Sequence, residues 1–294
     1  MSRFKKITAL GCCIVLFALS LTACGRSKIS PYESVVSDVS NDGMTDVTVE
    51  HNGWVRMVSL EDKALQLSIT FDGVTYTGVI QESYVGARMS YETDEYLDND
   101  KNVTFKVRGD TGEFSGISFM NGEFFETEPY LDDVANPQET ANAVAERVAR
   151  EYLKDFDSYT RIAEEPKFYE EEKDGEIYPY AYYRINYVRM IDGYYSSDYI
   201  RITVTSKGNI ATIVMGDVSV FAKNRLKVDD EKLSESIQNK LEEVYSKGVS
   251  YEIDQQCIAK TPEGDVVVQS LIDVTLHIKG EEVETGIVLL TGIK

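Results

Sequence analysis

Asn136-Pro-Gln-Glu-Thr-Ala-Asn-Ala-Val-Ala-Glu-Arg-Val-Ala-Arg-Glu-Tyr-Leu-Lys-Asp-Phe156 is the stretch on which the fold turns. Pro137 suits the first helical position, where a missing N–H costs nothing, and Asn136 is placed to cap. Glu139 stands three residues after that cap, where a carboxylate meets free helix N–H groups. Ala141, Ala145, Val148, Tyr152 and Phe156 recur at three- and four-residue spacing, so a helix over 137–156 carries one apolar stripe. Such a stripe must lie on something. Strand-like runs follow at about 166–171, 177–190, 194–205 and 209–220, divided by Lys173-Asp-Gly, Asp192-Gly193 and Lys207-Gly208-Asn209. A helix packed across a small antiparallel sheet satisfies both elements.

The same order recurs downstream. Asp229 or Asp230 caps a second helix, Leu233, Ile237, Leu241 and Val244 form its stripe, and Gly248 ends it. Strands are expected at about 250–260, 266–279 and 285–291, with turns at Pro262-Glu-Gly264 and Lys279-Gly280. The fold class expected is therefore α+β, β-rich, with helix-plus-antiparallel-sheet units over 134–222 and 223–294.

Residues 47–133 read as a mainly β region. Leu65-Gln-Leu-Ser-Ile-Thr-Phe alternates, Asp72-Gly73 turns, and Val74-Thr-Tyr-Thr-Gly-Val-Ile resumes. Asn102-Val-Thr-Phe-Lys-Val-Arg-Gly-Asp-Thr-Gly-Glu-Phe-Ser-Gly-Ile can be laid on the sixteen residues from Asp198. Gly112 then meets Gly208, Phe114 meets Ile210 and Ile117 meets Ile213, which suggests a third, degenerate copy.

The run from Tyr183 to Ile210 resembles the PepSY-type domains, relatives of peptidase propeptides, in the version repeated in YcdB/YcdC-like proteins. The shared pattern is a strand ending in Arg189, an apolar pair, Gly193, a residue pair before Asp198, and a strand closed by the Gly208 turn. The resemblance covers 136–220 well, 229–291 loosely and 47–133 hardly. It implies a cystatin-like fold and a role in binding or restraining exported peptidases. It supplies no catalytic residue.

The N-terminus has the three parts of an export signal over 1–23. Arg3, Lys5 and Lys6 precede an uncharged apolar run of 15 residues, 7–21. That run is shorter than the roughly 20 residues of a spanning helix. Leu21-Thr-Ala-Cys24 resembles the lipobox of bacterial lipoproteins, which implies a diacylglyceryl group on Cys24 and cleavage before it. Two acyl chains make such an anchor stable. An ordinary signal peptide that happens to contain a cysteine is the alternative. Residues 24–46, rich in Ser, Asp, Asn and Gly, read as a flexible tether. The expected location is the cell membrane, on its extracytoplasmic face.

Losing Arg3, Lys5 and Lys6 would leave 27 of the 30 basic residues against 50 acidic ones, a net charge near −23. Phosphate backbones repel such a surface, so no nucleic acid is expected as partner. A hydrophobic share of 43% is too rich for a disordered chain. Cys12 and Cys13 leave with the signal and Cys24 takes lipid, so Cys257 has no disulfide partner and reads as a buried structural thiol.

No catalytic residue, metal or cofactor is expected. His51 and His277 are the only histidines; one lies beside a turn and the other inside an alternating strand. There is no paired cysteine and no Gly-rich phosphate loop. Asp38-x-Ser40-x-Asp42-Gly43 starts like a calcium loop, but Val49 stands where Glu is needed; Asp98-x-Asp100-x-Asn102 lacks both Gly and Glu. No spacing selects a carboxylate pair for hydrolysis.

The most unusual segment is aromatic, with eight tyrosines between Tyr178 and Tyr199. On a strand, Tyr178, Tyr180 and Tyr182 share one face, and Tyr183, Ile185 and Tyr187 the other. One face should pack on the helix and the other meet solvent or a partner, although tyrosine also favours strands for its own sake. Tyr180, Tyr182, Tyr194 and Tyr195 are the candidate partner-binding residues. The function expected is a non-catalytic, lipid-anchored envelope protein that binds, and restrains or senses, an exported or membrane protein such as a peptidase. A solute- or glycan-binding lipoprotein and an acid-dependent hydrolase are the alternatives.

Overall fold

The computed structural model describes residues 28–39, 47–50, 56–86, 89–119, 135–173, 175–223, 225–245, 249–278 and 281–294. The stretch expected to be an export signal, the expected lipid-bearing Cys24, His51 and most of the first calcium-like loop lie outside these residues. Among the described residues the chain is a β-rich α+β fold, with two helices laid on two mostly antiparallel sheets.

The larger sheet begins with β2 (Arg56–Met57), β3 (Gln66–Phe71), β4 (Val74–Val85), β5 (Glu92–Asp98), β6 (Val103–Arg108) and β7 (Phe114–Ser118). After helix α1 (Pro137–Tyr152) it continues with β8 (Thr160–Ala163), β9 (Lys167–Lys173), β10 (Glu176–Val188), β12 (Tyr199–Thr205) and β13 (Ile210–Met215). Its spatial order is β2-β4-β5-β6-β7-β13-β12-β10-β8, with β3 beside β4 and β9 beside β10. The 47–133 region and the first helix-led unit thus share one continuous sheet, joined where β7 meets β13.

That seam makes sense of the internal sequence match. Ile117 and Ile213, which the match equates, are register partners across β7 and β13, so the seam is a local two-fold. Both flanking hairpins carry a bulge at the same place, after Lys106 and after Thr203. In the first strands the match slips by one residue. Buried Val103, Phe105 and Val107 correspond to buried Ile200, Ile202 and Val204, not to their neighbours. The reason is turn length: six residues separate Val107 from its partner Phe114, and five separate Val204 from Ile210. An ungapped comparison cannot see that difference. Among the described residues no helix precedes the first copy.

Helix α1 lies over β10 and β12. Ala141, Ala145, Val148 and Ala149 are buried, the small residues letting the helix approach Ile185, Ile200 and Ile202 closely. Tyr183, Ile185 and Tyr187 face this core, as alternation predicted. Asn136 departs from expectation. It sits in the left-handed region with φ 52° and its side chain caps nothing; only its carbonyl accepts, from the Thr140 N–H. Gly208 turns the β12–β13 hairpin at φ 92°, and a Cβ there would lie 2.9 Å from Thr140 Cγ2, so the helix packs directly on the turn.

The smaller sheet has the order β1-β16-β15-β14-β11. It comprises β1 (Ser34–Val39), β11 (Tyr195–Ser196), β14 (Ser250–Lys260), β15 (Val266–Ile278) and β16 (Glu281–Gly292). Helix α2 (Asp230–Tyr245) lays Leu233, Ile237 and Leu241 on Val36, Ile272, Ile287 and Leu289. Asp229 caps it, accepting the Lys232 N–H. Strand β1 lies inside the stretch expected to be a tether. Val36 is buried, Ser34 hydrogen bonds to Thr291, and Ile29 enters a small core with Leu290. Three valines among Ser and Asp are a weak sequence signal, and pairing with β16 supplies what local pattern lacks. β5 was also missed, because Glu92-Thr-Asp-Glu-Tyr-Leu-Asp looks too acidic for a strand. Its Asp94 and Asp98 are buried, and its carboxylates meet Ser83, Lys63 and the Thr77 N–H.

Candidate functional site

The ten residues between β10 and β12 do not form a simple turn. They leave the large sheet, contribute β11 to the small one beside Cys257 and Ile258 of β14, and return. Arg189 and Asp198 close this excursion at its neck. Arg189 Nε donates to Asp198 Oδ2 at 2.8 Å, and its Nη2 donates to Asp155. Tyr159 donates its hydroxyl to Asp198 Oδ1, which also accepts the Ser219 N–H at 2.9 Å. The guanidinium stacks 4.5 Å from the Tyr159 ring centroid, and Ser196 Oγ donates to the Arg189 carbonyl. Asp198 is wholly buried and Arg189 nearly so. Burial alone would lower the Arg189 pKa; the bonds from Asp198 and Asp155 outweigh it and hold the guanidinium more firmly charged. Burial, then the adjacent Asp198 carboxylate, pushes the Tyr159 phenol well above its usual value. Three of the pattern residues that carry the PepSY resemblance thus do structural work here: an ion pair at the neck and, at Gly193, a left-handed turn with φ 90°.

Next to this neck, Asp217 takes both oxygens to the Ser90 N–H, at 2.9 and 3.1 Å. Its own N–H donates to the Ser197 carbonyl. Arg108 stacks on Tyr91 4.1 Å from the ring centroid, and the Tyr91 hydroxyl donates to the Gly216 carbonyl. Asp217 is 1% exposed, and burial pushes its carboxyl pKa up to about 7. The network ties both halves of the large sheet to the small one, through Ser197, whose N–H donates to the Ile258 carbonyl.

At its other end β10 outruns the sheet. β12 pairs with it only from Tyr182 to Val188, whereas β9 pairs with it from Glu176 to Tyr182. Residues 167–173 and 175–181 therefore project as a two-stranded ribbon, and the outer edge of β9 has no strand beside it among the described residues. Phe168 and Ile177 are each 64% exposed and Tyr169 is 42% exposed. The register pairs Phe168 with Ala181 and Ile177 with Glu172, which places Phe168 and Ile177 on one face. That face continues the surface α1 covers further along the sheet. Three glutamates, Glu170 to Glu172, lie in the same strand.

The four candidate tyrosines are not brought to one surface. Tyr180 pairs with Tyr169 through its backbone, and its side chain is outside the described ones. Tyr182 is half-buried, its ring edge-on to Tyr169 at 5.7 Å. Tyr194 packs on the smaller core and donates to Asp230 Oδ1 at 2.7 Å, so it holds the excursion to α2. Tyr195 is 43% exposed and lines a cleft between the sheets. Sequence reasoning missed Phe168 and Ile177, although both lie in strands it expected. Exposure depends on where the neighbouring strands stop, which the density of tyrosines in the sequence does not report. Asp155, Tyr159 and Asp217 come together only through the fold, and no local spacing could have joined them.

Among the described residues no group of three or more His, Cys, Asp or Glu side chains could hold a metal ion. Asp98 of the second calcium-like loop spends its carboxylate on the Thr77 and Lys101 N–H groups. Cys257 is buried, and no described helix is long and apolar enough to cross a membrane. Compared with known proteins, the chain matches no family model, no curated protein and no solved structure.

Proposed function

We propose that this chain is a non-catalytic, lipid-anchored envelope protein that captures another exported protein through the β9–β10 ribbon. The observation that carries the reading is the exposure of Phe168 and Ile177 on one face of a ribbon whose outer edge has no strand beside it among the described residues. Exposed aromatics give large contact area at low entropic cost, and an open edge accepts an extended segment by strand addition. Charged residues on such an edge also discourage pairing between copies of the chain. The exposed Glu170 therefore favours a partner whose extended segment is basic, and the net charge of −20 attracts one over about a Debye length. An exported peptidase or its precursor fits the PepSY resemblance of the α1-led unit.

A photo-reactive residue in place of Phe168 should cross-link one exported protein in intact cells. The purified partner should then bind the ectodomain, more weakly as salt rises. Phe168→Ser, Tyr169→Ser and Ile177→Ser together should weaken binding at least about thirtyfold, since even one buried aromatic anchor carries ~2 kcal/mol or more. Surface changes of this kind move stability by only about 0.5 kcal/mol each, so the melting temperature should hold. Unchanged affinity in the triple variant sinks the ribbon as the capture surface.

The anchor is tested separately. Cys24→Ala should abolish labelling by a fatty-acid analogue and leave the uncut precursor in the cell. Wild-type protein that takes up no label would remove the lipid from the proposal.

A further inference from the structure

We propose that the cleft between the two sheets is a binding site for a small aromatic monocarboxylate. The cleft has a volume of about 290 Å³ and lies on the face of the large sheet away from α1. At about 30 Å³ per water, it has room for roughly ten waters, or one ligand of amino-acid size. Its walls are Ile162, Val188 and the rings of Tyr195 and Tyr199, and Gln255 and Cys257 of β14 close it.

Its charge is set by a side-chain relay. Arg184 Nη1 donates to Glu164 Oε2 at 3.1 Å, which neutralises that carboxylate. Asn186 Nδ2 donates to Glu164 Oε1 at 3.1 Å, and Asn186 Oδ1 accepts from Arg201 Nε at 2.8 Å. Asn186 is buried, so both ends of its amide are committed. Arg201 is thereby held by its Nε while no described carboxylate lies within ion-pairing distance of it. In a chain with 50 acidic residues, a guanidinium that lines a cleft and makes no ion pair of its own among the described residues is conspicuous; the carboxylate of Glu164, which lines the same cleft, is taken by Arg184. Its two Nη groups form the fork that a carboxylate accepts in parallel. Arg201 also sits 5.9 Å from the Tyr199 ring centroid, so an aromatic body on the ligand would continue the same stack toward Tyr195. One unpaired positive charge calls for one negative charge.

The test is calorimetric titration of the ectodomain with phenylpropionate and with phenylpropanol, its uncharged counterpart of the same body. The acid should bind saturably, and the alcohol should bind about tenfold more weakly or worse, as loss of a charge-assisted bond costs ~1.5–3 kcal/mol. Arg201→Met should reduce affinity for the acid by the same factor and leave the alcohol unchanged. Arg201→Lys, which keeps the charge and loses the fork, should fall between. Tyr195→Ala, at an exposed ring, should weaken both ligands. Phe168→Ser should alter neither, which separates this site from the capture ribbon. If Arg201→Met does not fold, the Lys and Tyr195 variants decide. Equal affinity for acid and alcohol, wild-type affinity in the Arg201 variants, or no saturable binding of the acid would each overturn the assignment.

Discussion

Asp198→Ala is expected to cost roughly 3–5 kcal/mol of folding stability, the range for breaking a buried ion pair by removing one partner. Arg189 Nε and the Tyr159 hydroxyl lose their acceptor at once, and the Ser219 N–H keeps only the Tyr159 oxygen at 3.4 Å. Arg189 is 8% exposed, and Asp155 is left as its only carboxylate. The effect should be read by urea denaturation beside a control, Glu146→Ala, which removes the exposed pair with Arg150. Exposed pairs of that spacing contribute about 0.3–0.5 kcal/mol. Because the neck joins the excursion to both sheets, the variant should lose structure in both together. A cost no larger than the control's would mean that the network is ornamental.

Asp217→Asn should flatten the pH dependence of stability between about pH 4 and 7. The usual value of this carboxyl is 3.8, and burial raises it to about 7 in the folded chain. Below 3.8 both states hold the proton and the group contributes nothing. Between the two values the unfolded chain has lost the proton and the folded chain retains it, so stability falls as pH rises. Above about 7 the loss is complete. A difference of about three pKa units corresponds to ~4 kcal/mol at 1.36 kcal/mol each. The amide cannot ionise and can still accept the Ser90 N–H, so the variant should equal wild type near pH 4 and exceed it at pH 8. Asp98 and Asp155 act in the opposite sense. Their values are depressed in the folded chain, against their burial, by hydrogen bonds from the Thr77 N–H and Arg189 respectively. Their stabilisation is present above the usual carboxylate value and is lost only as pH falls below it. Urea midpoints across this range would show the difference. Parallel profiles for the two proteins would refute the buried, proton-holding state of Asp217.

What could be read from the sequence was whatever has a period. The stripes of α1 and α2, the alternation of β10 and β12 and the glycine turns were legible because each is a local consequence of burying one face. β1 and β5 were not. β1 gains its stability from β16, more than 240 residues away in the chain, and β5 is an acidic strand whose charges are met by partners brought by the fold. The Asn136 side chain failed as a cap because the chain enters α1 with that residue already left-handed. The pattern Arg189, Gly193, Asp198 was visible as a pattern, but its physical content is a neck for a ten-residue excursion between sheets. The exposed ribbon residues were invisible because exposure at Phe168 and Ile177 follows from β12 and α1 ending short of them. The cleft is non-local by construction, since its walls come from β8, β10, β11, β12 and β14.

The capture proposal meets its most direct test in amide hydrogen exchange of the ectodomain with and without the protein cross-linked through position 168. Strand addition would bury the outer-edge N–H groups of β9. The expected result is new protection concentrated in Lys167–Lys173, with the α2 sheet unchanged. Protection confined to the cleft-lining strands, or no change in β9 at saturating partner, would contradict the proposal.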